Sequence, residues 1–176
     1  TGSQVLTGDD WGELILWNVA TGDIVDRWSN ENDNLGSGLF APDGTPLSVS
    51  VSEGALNILD LNTGVERLQV QEEFLWDYEY NNFILSADGR WLLGSGDADG
   101  SVGFMLDVST GTFTSIEVDG LVDAQGGLVF SPDSSLLLTA NDGVVNLTAT
   151  ESGEQRAGAG WFSPFSHFAS TSFDPW

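Results

Sequence analysis

The side chains able to do chemistry in this chain are chiefly carboxylates and aromatics. Twenty-seven Asp and Glu stand against four Arg, no Lys and one His, for a formal net charge of −23. Acid–base catalysis needs a positioned pair of groups, and carboxylates in such abundance carry no specific signal for one. His167 is the single histidine, so a multi-histidine metal site cannot be built, and no Ser-His-Asp set is legible. The chain has no cysteine, which removes disulfides, thiolate metal sites and cysteine nucleophiles. The stretch DADG at 97–100 opens like a calcium loop, but DADGSVGFMLDV lacks the terminal Glu and reads as a hairpin turn. Asn146-Leu147-Thr148 matches a glycosylation sequon, yet it lies inside an expected strand. There is no Gly-rich phosphate loop and no basic patch. No catalytic residue, metal ligand or cofactor is therefore expected, and binding is the chemistry left to explain.

Charge narrows the partners. A surface this acidic repels phosphate backbones and anionic membranes, so nucleic acid and membrane insertion are not expected. It favours solubility first, and cationic partners second. No run approaches the 18 or so consecutive apolar residues that a membrane-spanning helix needs. The 40% hydrophobic content is that of a chain that can bury a core, and 22 glycines against 5 prolines point to many tight turns.

The elements that would position these side chains emerge from internal repeats. WNVATG (17–22), LDLNTG (59–64), LDVSTG (106–111) and TATESG (148–153) end on Gly22, Gly64, Gly111 and Gly153, spaced 42, 47 and 42 apart. A second marker runs in phase: LFAPDG (39–44), ILSADG (84–89), VFSPDS (129–134) and WFSP (161–164). Phe40, Leu85 and Phe130 are 45 apart, and Phe130 to Phe162 is 32. Two independent markers with one period of about 40 to 45 residues define a repeat protein.

Inside one unit the period is two and the segments are short, which means strands. SGLF (37–40), LSVSV (47–51), ALNILDL (55–61) and VERLQV (65–70) alternate, joined by turns carrying Asp-Gly, Glu-Gly and Thr-Gly. No stretch keeps helical periodicity over three turns. The fold class is all-β, and a four-stranded antiparallel unit at this period is a propeller blade.

These motifs give the chain a resemblance to the WD-repeat β-propellers, in a divergent, bacterial-type form, over essentially its whole length. The family pattern of a Ser-Pro-Asp-Gly turn, an apolar strand, an Asp-Gly turn and a strand ending in Trp-Asp is matched by SADGRWLLGSGDADGSVGFMLD (86–107). Trp17 takes the tryptophan position; Leu59, Met105 or Leu106, and Thr148 take it in the other units. The aspartate that follows is kept as Asp60 and Asp107 and replaced by Asn18 and Ala149. The family's Gly-His dipeptide is missing, so its buried hydrogen-bond tetrad survives only as the remnant Thr7, Asp10 and Trp17. The blades are thus expected to depend more on apolar packing.

The resemblance implies an array of four to five blades over 1–176: a partial blade at 4–30, blades at 36–70, 78–118 and 126–159, and the start of a fifth at 161–176. Counted from the axis outward, the array begins on a second strand and ends after a second strand, giving 17 strands. A closed four-blade ring has no place for the last of them, so the expectation is an internal slice of a propeller of seven or eight blades.

The resemblance also implies which loops share a rim, namely those joining second to third strands and fourth to first strands. They hold the acids Asp9, Asp10, Glu13, Glu31, Asp33, Glu53, Glu72, Glu73, Asp77, Glu79, Asp97, Asp99, Asp119, Asp123 and Asp142. They also hold the aromatics Trp11, Trp28, Phe74, Trp76, Tyr78 and Tyr80. Asp and Asn favour tight turns whatever the ligand. Interleaved aromatics and acids in EEFLWDYEYNN (72–82) are less usual, and that loop is two residues longer than the repeat requires. Trp11, Trp28, Phe74, Trp76, Tyr78 and Tyr80, with Glu72 and Glu73, are the expected binding residues. Phe74 and Trp76 have a second reading, as plugs between blades. The expected role is a non-catalytic protein–protein interaction scaffold or sensor whose partner is a protein or peptide, a basic one if the acids select it. A propeller enzyme with a carboxylate metal site, or a self-assembling structural subunit, are the alternatives; other blades of the same longer chain, or another copy, are the remaining possible partners.

Overall fold

The computed structural model describes residues 2–9, 11–29, 35–76, 79–97, 102–117, 127–141 and 144–160. The chain divides into two compact units, 1–83 and 84–176. In the first, β1 (Gln4–Gly8), β2 (Leu14–Asn18) and β3 (Ile24–Trp28) form one antiparallel sheet. A second sheet holds β4 (Ser37–Phe40), β5 (Pro46–Ser52), β6 (Ala55–Asp60) and β7 (Val65–Gln71), and a 3-10 turn at Glu73–Trp76 follows it. The second unit begins within β8 (Glu79–Leu85). Its sheets are β8 with β9 (Trp91–Asp97), β10 (Val102–Asp107) and β11 (Thr112–Glu117), then β12 (Gly127–Phe130), β13 (Leu136–Asn141), β14 (Val144–Ala149) and β15 (Gln155–Gly160). Every sheet is a meander in which chain neighbours are sheet neighbours. The structure is thus all-β, with about four propeller-type blades. Among the described residues no helix is long and apolar enough to cross a membrane.

Period-two patterning decides what each strand buries. Along β6 burial alternates strictly, placing Leu56 and Ile58 inward beside Leu47 and Val49 of β5. In the second unit Trp91, Leu93 and Met105 of one blade pack with Phe130 and Leu137 of the next, flanked by Ile84 and Leu128. Three blades share an irregularity between third and fourth strands, at Leu16/Trp17, Ile58/Leu59 and Leu147/Thr148. It falls at the family's tryptophan position each time, so the twist of the outer hairpin is repeated even where the tryptophan is not.

The turn motifs have a chemical reason. In SADG the Ser86 hydroxyl donates to Asp88 Oδ1 (2.6 Å) and accepts from the Trp91 amide (2.9 Å), while the Arg90 amide donates to Asp88 Oδ1 (3.1 Å). Ser131 and Asp133 repeat the arrangement with the amides of Leu136 and Ser135. At the neighbouring turn of the same end, Asn18, Asp60 and Asp107 each accept backbone amides through Oδ1, closing the hairpin into the fourth strand. Arg67 donates to Asp60 Oδ2 at 2.7 Å and Arg90 to Asp107 Oδ2 at 2.9 Å. Arg90 also pairs with Glu151 of the following blade and lies 4.5 Å over the Trp91 ring. With Arg27, which pairs with Glu13 at 3.0 Å, three of the four arginines in the sequence are committed to internal pairs.

These contacts set a pH dependence. The Thr45 hydroxyl and amide hold Asp43 below the usual carboxylate range, as the Arg67 guanidinium does Asp60, and the hydroxyl of Ser131 with both groups of Ser135 does Asp133. Burial works to raise Asp88 and Asp107, but Ser86 with Arg90, and Ser109 with Arg90, outweigh it, and both are lowered. A carboxylate depressed in the folded state stabilises the fold above its unfolded pKa of about 3.9 and loses that contribution as pH falls through the folded value. Stability is therefore expected to hold from pH 7 down to about pH 4, helped by protonation relieving the surplus of negative charge, and to fall below it. Thermal melts across that range check this; a steady decline beginning at about pH 6 would contradict it.

Candidate rim site

One end of the first unit gathers the turns that carry the expected binding residues. The β1–β2 turn is built on Asp9, whose Oδ1 accepts from the amides of Trp11 (3.0 Å) and Glu13 (2.9 Å). That cap uses the Asp9 side chain for backbone closure and pushes Trp11 outward, where it is 90% exposed. Glu13 pairs with Arg27 at 3.0 Å, and Trp28, opposite Leu14 in the register, is half-buried at the end of β3. At the same end of the second sheet, Ala55 lies opposite Gln71, so the β5–β6 turn and the exit of β7 are adjacent.

The segment 72–82, read from sequence as one loop, is two different structures. Its first half folds as the 3-10 turn Glu73–Trp76, with the Leu75 amide donating to the Glu72 carbonyl (3.1 Å) and the Glu72 amide to the Gly54 carbonyl (3.1 Å). Its end belongs to β8, which places Tyr80 in a strand rather than in a rim loop. Leu75, which lies between the two aromatics, is the side chain that this turn buries: it is 2% exposed, whereas Trp76 is 63% exposed and Phe74 is half-buried. The sequence reading missed Leu75 because a single turn is too short to show periodicity. Glu72 and Glu73 are exposed.

Trp76 lies across Gly54. A Cβ at Gly54, whose φ is +72°, would sit 2.0 Å from the indole Nε1. The glycine thus serves twice, for a left-handed turn following Glu53 (φ +50°) and for the close approach of the ring. In the tetrad remnant, the Trp17 Nε1 donates to the Thr7 hydroxyl at 2.8 Å. Asp10 and Tyr78 lie outside the described residues, as do 98–100, His167 and the whole of 161–176. So do Glu31, Asp33, Asp77, Asp119, Asp123 and Asp142 of the expected acidic rim. Among the described residues no group of three or more His, Cys, Asp or Glu is placed to hold a metal ion.

Antiparallel meander sheets closed by repeated Asp-Gly and Thr-Gly turns are propeller-type blades, and the comparisons with known proteins agree with that fold. No protein-family model matches the chain. Among curated proteins it is similar to WD repeat-containing protein SL1-17 of Schistosoma mansoni, 24% identical over 144 residues, which is 81% of this chain and 45% of that protein. Among solved structures it is similar to the Cps50 (Swd1) β-propeller domain of Myceliophteria thermophila, with a TM-score of 0.66 and 13% identity over 91% of this chain and 54% of that one. The second likeness is one of fold. The chain spans about half the length of both.

Proposed function

We propose that the chain is a non-catalytic interaction scaffold that binds a protein or peptide partner through the acidic, aromatic rim of its first unit. The observation that supports this most is the outward presentation of Trp11 and Trp76, 90% and 63% exposed, at one end of that unit. Large rigid aromatics left mostly in water contribute little to the core, and they are the side chains that most often anchor protein interfaces. Around them Asp9, Glu13, Glu53, Glu72 and Glu73 select against anionic partners and steer cationic ones. Rigid blades presenting variable loops are also what the WD-repeat resemblance implies for a scaffold.

The test is partner capture with the whole chain, identification of the captured protein, and titration of the purified pair. A Trp11→Ala/Trp76→Ala double variant is expected to bind about 30-fold more weakly or worse, about 2 kcal/mol, with an unchanged melting temperature. Undiminished affinity would remove the rim assignment.

A further inference from the structure

We infer that the Trp76 corner of the rim receives an arginine side chain from a basic segment of a partner protein. This rests on the scaffold reading and specifies its chemistry. Trp76 is exposed yet immobilised. Leu75 anchors its turn in the core, the Glu72 amide ties the turn to the Gly54 carbonyl, and one indole face rests on Gly54. The ring is thus oriented before any partner arrives, which lowers the ordering cost of binding. Glu53 immediately precedes Gly54, Glu72 bonds to it and Glu73 opens the turn, so three exposed carboxylates share a corner with the indole. Among the described residues none of the three has an ion-pair partner, because Arg27 is held by Glu13 and Arg67 by Asp60.

An indole face beside unpaired carboxylates is complementary to a planar cation. A guanidinium can stack on the ring and present its edge, in bidentate fashion, to a carboxylate; a lysine ammonium can do only the first as a point charge. Charge complementarity favours a basic protein segment, since nucleic acid and acidic lipid would be repelled by the same carboxylates.

The probe is a fluorescein-labelled peptide of alternating glycine and arginine, titrated by anisotropy at physiological and raised salt, with the glycine–lysine peptide and spermidine as comparisons. Wild type should prefer the arginine peptide. Trp76→Ala, which changes no charge, should weaken it about tenfold. Gly54→Ala, which keeps the indole but displaces it, should weaken it similarly. Replacing Glu53, Glu72 and Glu73 by Gln should cost more than removing three exposed carboxylates elsewhere, as in Asp23→Asn/Glu66→Gln/Glu154→Gln. Equal binding by Trp76→Ala and wild type, equal losses from the two triple variants, or a preference for spermidine would each overturn the inference. If the arginine peptide ignores Trp76 while the Trp11/Trp76 double variant still loses its captured protein, the scaffold reading stands and only this chemistry falls. If neither responds, both fall.

Discussion

Replacing Phe104 by alanine is expected to destabilise the second unit by about 3–5 kcal/mol, the range for deleting a fully buried aromatic. Phe104 is 1% exposed and stands opposite Gly94 in the β9–β10 register. Its ring covers the glycine so closely that a Cβ there would lie 2.3 Å from the ring Cζ. Its edge meets Phe113 with centroids 5.2 Å apart and planes at 77°. In the opening blade Thr7 and Trp17 join the same two inner strands by a hydrogen bond; here a phenyl ring over a glycine does so. Main chain on one side and a second ring on the other leave little able to collapse into the cavity. Denaturant melts read the loss, and a value under about 1 kcal/mol would show that the ring is not the centre of this blade. Gly94→Ala is the complementary variant, since it overfills the space that Phe104→Ala empties.

Gly36→Ala is expected to cost the first unit about 2–5 kcal/mol, from two additive causes. Its φ of +72° is a left-handed conformation that a Cβ penalises by about 1–2 kcal/mol. The Cβ would also lie 2.2 Å from the Val49 carbonyl oxygen and 2.8 Å from the Ser50 Cβ, so main chain rather than a flexible side-chain end must move, at about 1–3 kcal/mol. Gly36 directly precedes β4, and the Leu35 carbonyl beside it accepts the Ser48 hydroxyl. The same glycine's carbonyl lies 4.0 Å from where a Cβ on Gly8 would be, at the foot of the Trp11 turn. Displacement there should therefore weaken the proposed partner binding as well as stability. A variant that melts like the wild type would mean that β4 enters its sheet differently.

Trp76 shows where local reading stopped. It and Phe74 carry the same sequence signal, an aromatic among acids. Only the docking of Leu75 into the core decides that Phe74 is half-buried and Trp76 faces water. Arg90 was equally silent. It bonds Asp107 within its blade and Glu151 beyond it, 17 and 61 residues away in the chain. Arg67 and Arg156 share an offset of three residues from their turn glycines, but Arg90 has no counterpart in the other repeats, so no periodic marker points to its pairs. Local signals did suffice for the Ser-x-Asp turns and the Asn18, Asp60 and Asp107 caps, because their partners lie within five residues.

What this chain's sequence determined by itself is whatever short-range chemistry controls: strand periodicity, turn type, and through their repetition the propeller-type blade. Alternation, glycine at positive φ and Asx caps each involve neighbours a few residues apart, and they recur often enough to confirm one another. What only the tertiary structure decided is which side chain of each loop is spent on packing and which is left in water. That outcome depends on how closely a neighbouring strand or turn approaches, as Gly54 approaches Trp76 and Gly94 approaches Phe104. Separation in the chain hides such approaches, and the proposed rim depends on them.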